Sequence, residues 1–144
     1  MFQTILIPSD FTPAAWKAMN VGIELGESHT SHLTLLHIYP ITAKFSKQKL
    51  AREITDEVDR IKSKMEKMSD EISNERGLKI STIVLSGNVE DQLLTFVKEH
   101  QFDLVIMGVN SNGENDTPGS HTLKIIEESS APLLIVPNSY SVDE

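Results

Sequence analysis

The chain has 144 residues, 39% hydrophobic and 24% charged, which suits one globular domain with a sizeable core. Its net charge is -8, and an acidic chain without a basic stripe argues against nucleic-acid binding, where lysine and arginine supply the affinity. There is no cysteine, so disulfides, thiolate metal ligands and thiol catalysis are excluded.

The first ten residues lack a basic segment, and their apolar run is too short for a signal peptide. No stretch approaches the ~18 apolar residues of a membrane span, so a cytoplasmic protein is expected. Thr4 to Ile7 reads as the first strand, ended by Pro8-Ser9-Asp10-Phe11. Thr12-Pro13 is a helix start, an N-cap followed by proline at the first helical position. The helix is expected to bury Trp16, Met19, Ile23 and Gly26, while Gly22 and Gly26 either weaken it or allow close packing on the sheet.

Leu33 to Ile38 is the second predicted strand, followed by a polar connection from Tyr39-Pro40. From about Ser46 to Arg76, Leu50, Ile54, Val58, Ile61, Met65, Met68 and Ile72 recur every three or four residues. That spacing predicts a long amphipathic helix, packed on a sheet rather than in a coiled coil and closed by Gly77. Leu78 to Ser86 is a third strand whose Lys79, Ser81 and Thr82 suit a sheet edge. Gly87-Asn88 opens a helix expected to bury Leu93, Leu94 and Val97. A fourth strand from Asp103 to Met107, a helix from Ser120 to Ser130 patterned on Leu123 and Ile126, and a last strand Leu133 to Val136 complete the series.

Strands alternating with helices predict a single α/β domain, a parallel sheet covered on both faces, over residues 1–138, with residues 139–144 a polar tail. Such sheets take ligands at the carboxyl ends of the strands where the strand order reverses. Between Met107 and Ser120 the apolar fourth strand breaks into a loop of Gly, Asn, Ser and Asp, then enters a helix. Strand, glycine-containing loop and helix N-terminus together aim backbone N–H groups at an anion, usually a phosphate.

Several segments carry a resemblance. Ile5-Leu6-Ile7-Pro8-Ser9-Asp10-Phe11, Leu35-Leu36-His37-Ile38, Gly87-Asn88, Asp103 to Gly108, and Ser130 to Pro137 stand in the order found in the universal stress protein family. The chain resembles that family over nearly its whole length. The resemblance implies an adenine-nucleotide alpha-hydrolase-like sandwich, a five-stranded parallel sheet of order 3-2-1-4-5 with two helices on each face. It also implies a stress-response regulatory or binding module with an ATP or AMP site, and assigns neither a metal nor a catalytic residue. Many members bind ATP through Gly, two residues, Gly, nine residues, then Gly-(Ser/Thr).

Here Gly108 matches the first glycine and Gly119-Ser120 the last pair, but Ser111 stands at the second and only ten residues separate Gly108 from Gly119. Serine at that position adds a Cβ where backbone meets phosphate, and Glu114 and Asp116 bring negative charge to the loop. The implied nucleotide contacts are Pro8, Ser9, Asp10, Ile38, Met107, Gly108, Val109, Ser111, Gly119, Ser120 and His121. Asp10 admits a second reading as a helix cap. His37 reads as a satisfied core or rim histidine, and His29 and His32 as surface residues rather than metal ligands.

The family often dimerises through its last strand, which implies a homodimer interface at Leu133, Leu134, Ile135 and Val136. Two alternatives stand beside the nucleotide module. One is a dimeric protein-interaction module that binds no nucleotide, with an unknown protein partner. The other is a weak ATP hydrolase or nucleotide-dependent switch, for which no Walker lysine, Gly-x-Ser-x-Gly elbow or Ser/His/Asp set is present.

Overall fold

The computed structural model describes residues 2–41, 51–109 and 120–141, with side chains from residue 123 onward in the last segment. The element order is β1 (Thr4–Pro8), α1 (Pro13–His29), β2 (His32–Pro40), α2 (Ala51–Arg76), β3 (Lys79–Gly87), α3 (Val89–His100), β4 (Leu104–Val109), α4 (Ser120–Glu128) and β5 (Leu133–Pro137). The strands form one five-stranded sheet of order β3-β2-β1-β4-β5, every neighbouring pair parallel.

Alternation along the strands divides the core in two. Ile5 and Ile7 on β1, with Leu33 and Leu35 on β2, share a cluster with Ala18, Met19 and Ile23 of α1 and Met65 of α2. Leu6, Leu36 and Ile38 point the other way, to Leu93, Phe96 and Val97 of α3 and Ile125 of α4. A strand apolar on both faces can hold its register only if both faces are covered, which is why β1 after Thr4 and β4 read as unbroken apolar runs.

Packing corrects three expectations. α1 buries Ala14, Ala15, Ala18, Met19, Gly22, Ile23 and Gly26, whereas Trp16 is 41% exposed. The helix lies so close to the sheet that a Cβ on Gly22 would meet Ile7 Cδ1 at 2.4 Å, so the stripe is made of small residues and Trp16 sits at its margin. In α3, Phe96 is buried and Leu94 only half-buried. In α4, Ile125 is buried, while Leu123 and Ile126 are 49% and 44% exposed. Nine residues give α4 a single inward ridge; Lys124 reaches toward α3, and Leu123 with Ile126 occupy the opposite flank.

The edges are as the strand order requires. β3 is an edge strand with a mixed polar face, and β5 is the other. Asp103, just before β4, ties the far end of the sheet: its Oδ2 accepts from Gln3 N–H at 2.8 Å and Thr4 N–H at 3.1 Å. Among the described residues no helix is long and apolar enough to cross a membrane. The predicted helical residues 46–50 lie outside the described residues.

Candidate functional site

β1 is the central strand, and its two neighbours leave it at different points. It stays paired with β2 as far as Pro8 opposite Leu36, and Ser9 N–H adds a bond to Leu36 O at 2.8 Å. Its pairing with β4 covers only Ile5 with Leu104 and Leu6 with Val105. Beyond Val105, β4 continues in register with β5 alone, from Ile106 opposite Leu134 to Val109 opposite Pro137. A crevice therefore opens between the carboxyl ends of β1 and β4, at the reversal of strand order where open α/β sheets bind ligands.

The N-terminus of α1 lies against the carboxyl end of β4, with the backbone of Ala14 and Ala15 abutting Gly108. Thr12 is its N-cap, its side chain accepting from Ala15 N–H at 3.3 Å. Asp10 does not cap the helix itself; its Oδ1 accepts from Thr12 N–H at 3.0 Å and from Thr12 Oγ1 at 2.5 Å. The carboxylate thus fixes the hydroxyl that caps the helix. Asp10 is exposed, and no described residue donates to its second oxygen.

The other candidates fall into three groups. Pro8 and Ser9 are half-buried at the end of β1, Met107 and Gly108 are half-buried on β4, and Val109 is buried. Ile38 lies two residues past the last rung with β1, in register with Leu85 of β3, and its side chain is core. Ser111 and Gly119 lie outside the described residues, as do the side chains of Ser120 and His121, though Ser120 begins α4.

Sequence patterns carry no sign of one charged arrangement at the start of α3 and α4. Lys124, a turn into α4, lies 3.3 Å from Glu90 and 3.7 Å from Asp91 at the start of α3. The hydrogen bond to Glu90, then the charge of Glu90, with smaller help from Asp91 and Glu128, hold its ammonium above the ordinary lysine range against desolvation. His37, expected as a satisfied core or rim histidine, is buried with Nδ1 2.7 Å from Ser9 O, and its ring packs on Phe11. The remaining predicted histidines have structural partners: His29 meets the ring of Phe2 edge-on, and His32 Nε2 is 2.7 Å from Ser81 Oγ.

At the last strand, Leu134 is 37% exposed, Leu133 and Ile135 are half-buried, and Val136 is only 4% exposed. The Val136 side chain is thus committed to the chain's own core.

A five-stranded parallel sheet of this order, with helices packed on both of its faces, defines an α/β sandwich. The model of the Universal stress protein family matches residues 1–137, and the chain belongs to that family. It is 22% identical over 144 residues to universal stress protein MJ0531 of Methanocaldococcus jannaschii, covering 94% of this chain and 82% of the relative. Among solved structures, universal stress protein UspA from Lactobacillus plantarum aligns with a TM-score of 0.77 at 19% identity, over 94% of this chain and 97% of that one. A family protein from Arabidopsis thaliana, solved with AMP bound, aligns with a TM-score of 0.65 at 15% identity, over 94% and 91% of the two chains.

Proposed function

We propose that this chain is a stress-response binding module that takes an adenine nucleotide at the carboxyl ends of β1 and β4. The observation that carries the reading is the Asp10 carboxylate, held by Thr12 at the crevice with one oxygen unclaimed by any described residue. A carboxylate repels phosphate, so its partner is the ribose or adenine side, whose hydroxyl and amino groups donate. The N-terminal backbone of α4 then faces the phosphates. The AMP bound in the Arabidopsis relative supports the ligand class. Titration with ATP and AMP tests the reading. Asp10→Ala should weaken binding about tenfold or more, the loss of a charge-assisted hydrogen bond. Gly119→Val should abolish it.

The second reading, a protein-contact module without nucleotide, is favoured by one observation. Lys124 is already engaged by Glu90 and Asp91. If the protein hydrolyses ATP weakly, phosphate release should fall in Asp10→Ala. We also propose a homodimer formed along the outer edge of β5, with Leu134 and the exposed flank of α4, Leu123 and Ile126, supplying apolar area.

A further inference from the structure

The loop that carries Asp10 is not self-supporting. After the Ser9–Leu36 rung the chain leaves the sheet, and Phe11 adopts a φ of +64°. A bulky residue holds that conformation only where its surroundings over-determine it. Here Phe11 N–H donates to Ser9 Oγ at 3.2 Å, and the Phe11 ring lies on the His37 imidazole with centroids 4.7 Å apart and planes at 31°. Lys64 of α2 places its Nζ 5.3 Å from the centre of the same Phe11 ring. The carbonyl of Ser9, which has left the sheet, meets His37 Nδ1 at 2.7 Å. A carbonyl oxygen only accepts, so His37 carries a proton on Nδ1. The imidazole is 8% exposed and anchored on the rigid interior of β2, so the loop is registered against it.

We infer that His37 is a positioning residue for the adenine-nucleotide site: through the Ser9 carbonyl and the Phe11 ring it sets the turn that aims Asp10 at the crevice. The inference rests on the nucleotide reading above. Without the donor, the Ser9 carbonyl loses its partner and the turn at Phe11 loses its support. Asp10 stays bonded to Thr12 but is no longer fixed relative to β4.

The test compares His37→Asn with His37→Gln. The asparagine amide nitrogen falls near the position of Nδ1, while that of glutamine falls near Nε2, so only the first keeps a donor on Ser9. ATP should bind about tenfold more weakly to the Gln variant, and the Asn variant should recover most of that loss. Amide resonances of Ser9 to Thr12 should move in the Gln variant and return toward wild type in the Asn variant. In the wild-type protein, two-bond proton–nitrogen correlations should show the ring protonated on Nδ1, a readout independent of how well either variant folds. Unchanged ATP affinity in the Gln variant, or a ring protonated on Nε2 alone, overturns the inference. If the wild type takes up no nucleotide, the nucleotide reading falls by itself. The loop resonances then decide the positioning role: movement in the Gln variant supports it and their constancy overturns it.

Discussion

Gly108 of β4 and Ala14 of α1 touch backbone to backbone: a Cβ on Gly108 would lie 2.1 Å from the Ala14 carbonyl oxygen and 2.3 Å from its carbonyl carbon. The glycine that matches the first of the family's ATP pattern is therefore also the point where the helix N-terminus reaches the sheet. No flexible side chain can yield there, so Gly108→Ala must displace α1 or the end of β4. We expect a loss of about 1–3 kcal/mol, as for overpacked cores, and a fall in Tm of roughly 3–10 °C. A variant as stable as wild type in urea unfolding would show that the contact relaxes freely.

Asp103 gives a second prediction at the opposite end of the sheet. One of its oxygens serves two backbone donors, Gln3 and Thr4, while its own N–H donates to Thr4 O at 3.0 Å. Asp103→Ala removes two charge-assisted bonds and should cost about 1.5–3 kcal/mol, without changing ligand affinity. The urea midpoint measures the cost. A change in affinity instead would connect the two ends of the sheet in a way this account does not contain.

Lys124 predicts a pH dependence. Its pairing with Glu90 raises the lysine above its unfolded value, so its contribution to stability is fully present below about pH 10.4 and is lost as pH rises through the higher folded value. Lys124→Gln should be less stable than wild type at neutral pH in low salt, and the two should converge at strongly alkaline pH. Urea midpoints at both pH values check it, and a gap that stays constant would contradict it. Because the pair is solvated, added salt should narrow the neutral-pH gap.

The homodimer proposal is tested at the edge of β5. Leu134→Lys places a charge on an exposed position of the outermost strand, a substitution that blocks edge-to-edge pairing. Sedimentation should show a dimer for wild type and a monomer for the variant. A monomeric wild type, or an unaffected dimer, would move the interface elsewhere.

Much of the architecture was legible in the sequence because it depends on local periodicity. Short apolar-rich runs marked the buried strands, and Thr12-Pro13 marked the start of α1. The exposed Trp16 was not legible, since which margin of a helical stripe is covered depends on how closely the helix approaches the sheet. Leu123 and Ile126 misled for a related reason: a short helix need bury only one ridge. Asp10 was singled out as a candidate through the family pattern, but its role as the acceptor behind the Thr12 cap needed the geometry. The Lys124–Glu90 and His37–Ser9 contacts join residues distant in sequence, and no spacing rule reports them.

The most direct measurement is thermal unfolding of the wild-type protein and Asp10→Ala with and without ATP or AMP. It should be joined to chromatography of any nucleotide released on denaturing the purified protein. At ~100 times its dissociation constant a ligand stabilises by ~2.7 kcal/mol, or roughly 5–10 °C for a domain of this size. The account predicts such a shift, or co-purified adenine nucleotide, in wild type and a much smaller shift in Asp10→Ala. No shift and no nucleotide in the wild type would contradict it and leave a module that works through protein contacts alone.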